Sequence, residues 1–252
     1  MTDHIRIERD GRVLVITMNR PEKKNALTHA MYAAMAGAID GAQTNDDIRV
    51  VLLTGAGEAF TAGNDLADFQ ANPQRATEGP VGGFLQSILN AEKPLMAAVG
   101  GVAVGVGTTM LLHCDIVVVS ENAMLQTPFT DLALVPEAGS SLLLPQVVGT
   151  ALASDMLLTG RRISGEEAVA IGLASRLAPH GELEAEARRI AHGIAAKAPE
   201  AVRLTKSLLR GNREAVGARL AHESALFTKQ LQSPEFMEAA MAFMQKRPPN
   251  FG

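Results

Sequence analysis

Glu137 is the first residue to consider for chemistry, because it lies in the short segment Pro136-Glu137-Ala138-Gly139-Ser140-Ser141. A carboxylate held beside an apolar pocket could take up and return a proton as a general base. A proline followed by a glutamate is also a favourable helix start, with proline in the first turn and an acid near the positive end of the helix dipole. The residues of this segment alone leave both interpretations open.

Two glycine-rich segments could supply a partner for such a base. They are Ala59–Leu66, which follows an apolar run, and Ala98–Thr109, which contains four glycines. A loop that leaves a strand and enters a helix turns unpaired backbone N–H groups toward a cleft. Two such loops could direct two donors at one oxygen, as is needed to stabilise an enolate oxyanion. Alternatively, these glycines only permit tight packing of strand on helix.

Several other kinds of site do not fit the sequence. Gly55-Ala56-Gly57-Glu58-Ala59-Phe60 follows an apolar run, but phenylalanine replaces the third glycine of the dinucleotide-binding fingerprint. No P-loop or Gly-x-Ser-x-Gly segment is present. The six histidines are scattered without the spacing of metal ligands, so no metal is expected.

The overall composition narrows the class of protein. A chain of 252 residues with 47% hydrophobic and 20% charged residues can bury a large core. The net charge of −4, with 4% aromatic residues, argues against nucleic-acid binding. Cys114 is the single cysteine and suits a reducing compartment. With no visible secretory signal, we expect a cytoplasmic protein.

The sequence pattern predicts the elements that must position the candidate residues. Ile5–Arg9 and Val13–Met18 are predicted to form a β-hairpin, and Thr28 to cap a helix reaching about Ala42. Further apolar runs predict buried strands at Val50–Thr54, Leu95–Val99 and Ile116–Ser120. Strands alternating with helices predict an α/β core with parallel pairing.

Other segments predict loops, caps and a helical tail. The polar stretch Ala71–Gly83 is predicted to be a mobile surface loop, and Ser164-Gly165-Glu166-Glu167 to be a capping box. Residues 95–112 carry no charge but contain four glycines, which favours a buried strand, loop and helix start over a membrane span. From Ala198 only helical patterns follow, at 199–210, 213–231 and 234–246, so we place a boundary near residue 197.

Several short motifs, in order along nearly the whole chain, resemble the crotonase, or enoyl-CoA hydratase/isomerase, superfamily. The matching segments are Asn19-Arg20-Pro21, Asn25-Ala26-Leu27, Phe60–Leu66, Ala98–Gly107, Cys114-Asp115-Ile116, Pro136, Ala138-Gly139, Leu158-Thr159-Gly160, Ala168, Gly172-Leu173-Ala174 and Phe243–Phe251. Each segment is weak alone, but their number and order are specific.

The resemblance implies a fold, an assembly and a ligand. The implied fold is a superhelix of repeated β-β-α turns over residues 1–197, with a helical trimerisation region over 198–252. The implied assembly is a homotrimer or a dimer of trimers. The ligand would be an acyl-coenzyme A thioester, with coenzyme A as part of the substrate rather than a separate cofactor.

The resemblance also implies roles for individual residues. The backbone N–H groups of Asn64 and Val106 occupy the family's oxyanion-hole positions. The residues expected to contact coenzyme A are Lys23, Lys24, Ala26, Ala62, Asp65 and Leu66, together with Phe243 and Lys246, which would reach a neighbouring subunit's coenzyme. As residues alone, Lys23, Lys24 and Lys246 are also consistent with ordinary solvated charges.

The sequence departs from the hydratase pattern of this superfamily at two positions. Typical hydratases carry one glutamate three residues after the second oxyanion position and another directly after the proline equivalent to Pro128. Thr109 and Phe129 stand at these positions, and neither can act as a base at neutral pH. Glu137 instead matches the single acid/base of the 3-enoyl-CoA/2-enoyl-CoA isomerases, with Asp65 and Asp131 as reserve candidates.

Three functions therefore remain open from the sequence. The first is an acyl-CoA isomerase in which one carboxylate moves a proton through a stabilised enolate. The second is an enoyl-CoA hydratase, or another enolate-forming reaction on a CoA thioester, with a different acid/base. The third is a weakly catalytic subunit that binds a CoA ligand.

Overall fold

The chain folds around two β-sheets, and the computed structural model describes residues 2–71 and 79–252. The strands are β1 (Ile5–Asp10), β2 (Val13–Met18), β3 (Val50–Gly55), β4 (Ala59–Thr61), β5 (Leu95–Val99), β6 (Val102–Val104), β7 (Ile116–Ser120), β8 (Met124–Gln126), β9 (Arg162–Ser164) and β10 (Arg176–Ala178). The α-helices are α1 (His29–Thr44), α2 (Leu66–Ala71), α3 (Pro80–Asn90), α4 (Val106–Thr109), α5 (Ser140–Val148), α6 (Thr150–Thr159), α7 (Gly165–Ala170), α8 (Leu183–Ala195), α9 (Pro199–Leu209), α10 (Arg213–Leu231) and α11 (Pro234–Met244).

The larger sheet has six strands in the order β1-β2-β3-β5-β7-β10. Strands β1 and β2 form the predicted antiparallel hairpin, in which Asp10 pairs with Val13 across the turn. Every other neighbouring pair in this sheet is parallel. Strand β5 is buried along its whole length, which explains its unbroken apolar run. The predicted α/β class with parallel pairing is confirmed.

The smaller sheet has four strands in the order β4-β6-β8-β9 and arises from a repeated unit. Each of β3, β5 and β7 lies in the large sheet, and the strand that follows it lies in the small sheet. The chain passes from β5 in the large sheet to β6 in the small sheet through a tight turn. Gly101 has φ +67°, and a Cβ there would lie 1.8 Å from the Glu58 carbonyl oxygen. Only glycine fits such a backbone approach.

The structure confirms the two predicted helix caps and contradicts one end of the predicted loop. Thr28 Oγ accepts a hydrogen bond from Met31 N–H at 3.3 Å, and Ser164 Oγ accepts one from Glu167 N–H at 3.1 Å, so both predicted caps are confirmed. The predicted loop at Ala71–Gly83 is wrong at its end, because α3 begins at Pro80. Proline suits the first turn of a helix, and α3 buries Phe84 in the core. Residues 72–78 of the predicted loop lie outside the described residues.

The helical C-terminal region packs back on the same chain. Val216 and Leu220 of α10 belong to the main apolar core. A second cluster joins Phe227 of α10 and Phe236 of α11 to Phe129. Other apolar side chains of this region are exposed, and they include Leu208, Leu209, Met237 and Phe243. The boundary near residue 197 and the trimeric assembly remain predictions.

The uncharged stretch at 95–112 is divided among several short elements. It contains β5, β6, α4 and a 3-10 turn at Met110–His113. Within residues 2–71 and 79–252, no helix has both the length and the apolar character needed to span a membrane.

Candidate active site

The two glycine-containing loops lie side by side at one edge of the small sheet. Strands β4 and β6 are parallel neighbours, so the loops that follow them leave the sheet at the same edge. The loops are in close contact: a Cβ on Gly63 would lie 2.8 Å from the Val104 carbonyl oxygen. A Cβ on Gly107 would lie 2.6 Å from Thr61 Cγ2. The small residues therefore bring Asn64 and Val106 to the same region.

The backbone N–H groups of Asn64 and Val106 are available to a ligand. Leu27 N–H donates to the Gly63 carbonyl at 2.8 Å, and Asp65 N–H donates to the Leu27 carbonyl at 2.9 Å. This alternation turns the Asn64 N–H away from Leu27. Val106 is the first residue of α4, so its N–H has no acceptor within the helix. In the described parts of the chain, neither N–H donates to a protein acceptor.

Tyr32 of α1 forms a hydrogen bond with the first of these loops. Its ring is fully buried, and its hydroxyl donates to Asn64 Oδ1 at 2.5 Å. Burial, followed by the negative charge of Glu137, raises the pKa of Tyr32 well above its usual value. Tyr32 therefore stays neutral and can orient the Asn64 side chain.

Glu137 is a buried carboxyl group that accepts a hydrogen bond from a side chain. It is 8% exposed, and Thr109 Oγ of α4 donates to its Oε1. Burial raises the pKa of Glu137 to about 7; the Thr109 hydrogen bond opposes this rise, and the nearby Glu223 adds to it. A carboxyl with a pKa close to neutral can both accept and return a proton at physiological pH.

The alternative interpretation of Glu137 as part of a helix start is wrong. Helix α5 begins at Ser140, and Gly139 is its N-cap residue. Ala138 and Gly139 have φ of +59° and +71°, which no α-helix contains. The chain therefore turns sharply after Glu137, and the glutamate lies before the helix.

Buried polar side chains hold this turn in place from two sides. His113 Nε2–H donates to the Ala138 carbonyl at 2.7 Å. Burial lowers the pKa of His113 to about 4, so its ring is neutral. From α10, the Glu223 carboxylate accepts hydrogen bonds from Gly139 N–H at 2.6 Å and Ser141 N–H at 2.9 Å.

We expect Thr109→Val to raise the pKa of Glu137 further, because the lost hydrogen bond stabilises the carboxylate. The acid limb of the pH profile of kcat/KM should move up by about one pH unit, and activity near neutral pH should fall accordingly. Thr205→Val, at an exposed position on α9, is the control and should leave the profile unchanged. An unaltered acid limb in Thr109→Val would show that this hydrogen bond does not tune the base.

Ser140 and Ser141 provide a matched pair of stability measurements. Ser140 Oγ is buried and has no hydrogen-bond partner among the described residues, whereas Ser141 Oγ donates to Glu223 at 2.5 Å. Ser140→Ala should leave the free energy of unfolding unchanged or raise it by up to about 1 kcal/mol. Ser141→Ala should lower it by about 1–3 kcal/mol, because one oxygen of the buried Glu223 carboxylate loses one of its two hydrogen-bond donors. Equal losses in both variants, measured by urea unfolding, would contradict this assignment.

The residues predicted to contact coenzyme A in the loops at 20–26 and 62–66 are joined by hydrogen bonds. Ala62 N–H donates to the Lys24 carbonyl at 2.8 Å. Arg20 donates to the Ala26 carbonyl at 3.2 Å and to Asp65 Oδ2 at 2.5 Å. The structure thus brings the two loops together, while their contact with coenzyme A remains a prediction.

The side chains of these loops differ in how they could meet a ligand. Lys23 and Lys24 are exposed, and Lys24 borders a cavity of about 700 Å³. Leu66 begins α2. Partial burial opposes ionisation of Asp65, but its hydrogen bonds with Arg20 and with the Asp68 N–H outweigh burial and lower the pKa of Asp65. Because its carboxylate is committed to these partners, Asp65 is a poor reserve base.

The remaining predicted residues lie farther along the chain. Phe243 lies near the end of α11 and Lys246 just beyond it; both are exposed. Asp131 is exposed in a 3-10 turn at Thr130–Leu132, as expected for a solvated acid. Phe129 is 5% exposed in an apolar cluster, so the second hydratase position is filled by a core residue. The described residues contain no group of acidic, histidine or cysteine side chains arranged to hold a metal.

Tyr32, His113 and Glu223 were missed by sequence reasoning. Tyr32 is the single tyrosine of the chain, which is a weak signal at most. Glu223 lies 84 positions beyond Gly139, with which it forms a hydrogen bond, in a helix that also carries other charged residues. No local pattern marks such a contact, because it depends on how α10 packs against the turn after Glu137.

Comparison with known proteins identifies the family to which this fold and site belong. The model of the family described as enoyl-CoA hydratase/isomerase matches residues 8–252. A crystal structure of an enoyl-CoA hydratase/isomerase from Pseudoalteromonas atlantica T6c superposes with a TM-score of 0.95 at 46% identity, covering 99% of this chain and 100% of that one.

Two curated relatives show how the activities of similar proteins differ. The 2,3-dehydroadipyl-CoA hydratase of Escherichia coli (strain K12) is 37% identical over 97% of this chain and 97% of its own length. Enoyl-CoA delta isomerase 2 of Rattus norvegicus is 34% identical over 97% of this chain and 64% of its own length. The chain belongs to the enoyl-CoA hydratase/isomerase family and has the crotonase fold predicted from its sequence. One of these two relatives is named as a hydratase and the other as an isomerase.

Proposed function

We propose that the protein is an acyl-CoA isomerase that converts a 3-enoyl-CoA to the conjugated 2-enoyl-CoA with one acid/base residue. The observation that carries this proposal is Glu137, a buried carboxyl with a pKa of about 7 that accepts a hydrogen bond from Thr109 of α4, the helix that begins at Val106. Thr109 and Phe129 stand where hydratases of the family carry their glutamates, so one carboxylate must do the proton transfer.

The proposed reaction moves one proton from C2 to C4 of the acyl chain. The Glu137 carboxylate removes a proton from C2 of the 3-enoyl thioester, and the electrons delocalise onto the thioester oxygen as a dienolate. The N–H groups of Asn64 and Val106 stabilise this oxyanion. Protonated Glu137 then returns the proton to C4, the double bond forms between C2 and C3, and the carboxylate is regenerated.

The proposed binding mode places the coenzyme across the joined loops at 20–26 and 62–66. The exposed ammonium groups of Lys23 and Lys24 suit the phosphates of coenzyme A. In a trimer or a dimer of trimers, Phe243 and Lys246 of one subunit would contact the coenzyme of the next. The exposed apolar side chains of α9 and α11 support such an assembly.

Hydration of a 2-enoyl-CoA is the second candidate, favoured by the similarity to the 2,3-dehydroadipyl-CoA hydratase. Because Thr109 and Phe129 fill the two hydratase positions, it would require a different acid/base, for which Asp65 and Asp131 are the reserve candidates. A third candidate is a CoA-ligand-binding subunit with little catalysis.

Two assays on the purified protein separate these candidates. The first measures formation of the conjugated product from a 3-enoyl-CoA, and the second measures loss of conjugation from a 2-enoyl-CoA as water adds. We expect the first activity without the second. Hydration that survives Glu137→Gln would overturn the proposal, and binding of a CoA thioester with neither activity would favour the binding subunit.

A further inference from the structure

The turn that follows Glu137 has a strained backbone conformation that must be stabilised by surrounding contacts. Ala138 has φ +59° although it carries a Cβ, and Gly139 follows it with φ +71°. A non-glycine residue in this region is strained and persists only where the surroundings impose it. The position of Glu137 therefore depends on the contacts made by residues 138–141.

Glu223 makes three of these contacts from a distant part of the sequence. Its Oε2 accepts from Gly139 N–H at 2.6 Å, and its Oε1 accepts from Ser141 N–H at 2.9 Å and from Ser141 Oγ at 2.5 Å. The side chain is 4% exposed. Such a buried carboxylate is stabilised by these charge-assisted hydrogen bonds, which are short and directional.

Helix α10 also contacts the turn through apolar atoms. A Cβ on Gly139 would lie 3.1 Å from Val216 Cγ1, so the helix leaves little room for the turn to move. Arg219, one helical turn before Glu223, donates to Ser141 Oγ at 3.4 Å. The two oxygens of Glu223 thus bind one backbone donor on either side of Ser140, which fixes the direction in which the chain leaves Glu137.

We propose that Glu223 is a positioning residue for the catalytic base: its buried carboxylate anchors the turn at Ala138–Ser141 and so holds Glu137 against Thr109. This inference rests on the proposed role of Glu137 in proton transfer. Glu223 affects Glu137 through the position of this turn. It connects the C-terminal helical region to the chemistry, so that the active site is complete only when α10 is packed.

The charge of Glu223 adds an effect that a purely structural contact would not have. Among the described residues, Tyr32 of α1 and Glu223 of α10 interact electrostatically with Glu137, and the Thr109 hydroxyl of α4 donates to its carboxylate. His113 and Arg219 border the same turn. Glu223 raises the pKa of Glu137, in addition to the larger effect of burial. Removing the charge of Glu223 should therefore move the acid limb of kcat/KM to lower pH.

The test compares Glu223→Gln with Glu214→Gln in the isomerisation assay. Glutamine at position 223 keeps the size of the side chain but removes the charge and one acceptor. We expect kcat to fall by about 10-fold to 100-fold, as for a misplaced catalytic group, while KM is unchanged. Glu214, exposed on the same helix, is the control and should give wild-type values throughout. A folded Glu223→Gln variant with wild-type kcat and an unchanged pH profile would overturn the proposal.

Ser141→Ala tests the same anchor if Glu223→Gln does not fold. It keeps the carboxylate and both backbone donors but removes the hydroxyl donor, so kcat should fall below the wild-type value while KM does not change. Wild-type kcat in both Ser141→Ala and the double variant Ser141→Ala with Arg219→Ala would also overturn the proposal. Glu137→Gln distinguishes failure of the positioning role of Glu223 from failure of the proposed function. If it is inactive while Glu223→Gln is fully active, only the positioning role is wrong; if it retains full activity, the proposed function fails.

Discussion

Glu137→Gln is expected to lower kcat for conversion of a 3-enoyl-CoA to its 2-enoyl isomer by about 10²–10⁴-fold. Glutamine has nearly the same shape and can accept the Thr109 hydrogen bond, but it cannot take up a proton from C2. Binding of the CoA thioester should persist, because the coenzyme is expected to contact other loops. Stopped-flow or steady-state absorbance of the conjugated product measures the rate, and Glu121→Gln, at an exposed position after β7, is the control.

The same substitution should also change how stability depends on pH. In the folded protein the pKa of Glu137 is raised from 4.5 to about 7. Between these values the native state holds a proton that the unfolded chain has lost, so the free energy of unfolding falls as pH rises. The full effect is about 3 kcal/mol between about pH 4.5 and pH 7. Glu137→Gln lacks this contribution, and urea unfolding at several pH values should show a flatter dependence than in the wild type.

Gly63→Ala is expected to lower kcat by about 10²-fold, because it separates the loops that carry the two oxyanion donors. Gly63 has φ +87°, and its Cβ would lie 2.8 Å from the Val104 carbonyl oxygen. Backbone on both sides must move to admit a methyl group, and Asn64 and Val106 are within two residues of that contact. The loss should appear in kcat more than in KM, because the N–H donors interact most strongly with the charged transition state.

The control for Gly63→Ala is a glycine with room for a methyl group. Gly37 lies within α1, and no heavy atom other than the helix's own backbone lies within 4 Å of the position its Cβ would take. Gly37→Ala should keep wild-type kcat and raise stability by about 0.5–1 kcal/mol, as expected for a helical position. If Gly63→Ala retains wild-type kcat, the two loops do not form the oxyanion site.

Some of this protein could be predicted from local patterns in the sequence. The strand at Leu95–Val99 was predicted at its observed bounds, because an apolar run of that length has few alternatives to burial on both faces. Thr28 and Ser164 marked helix starts, because a hydroxyl that caps a helix acts on the next turn of its own chain. The order of the short motifs identified the family, because many weak matches in one order rarely arise by chance.

Other features were decided by tertiary contacts. The residues of the segment at Glu137 are consistent with both a helix start and a catalytic base, and the turn at Ala138 and Gly139 became evident only in the structure. The Nε2–H donor of His113 and the two carboxylate oxygens of Glu223 hold that turn, and both side chains come from distant positions in the sequence. Local propensity cannot encode such contacts, because they form only when separate elements pack together.

The sequence by itself therefore determined the chemical types available: one glutamate in a segment with proline and glycine, and threonine and phenylalanine at the two hydratase positions. Only the tertiary structure decided that this glutamate is buried beside Thr109 and Tyr32, with a pKa of about 7. The physical reason is that residue type sets the pKa of a carboxyl in water, whereas desolvation and neighbouring charges set it in the folded protein.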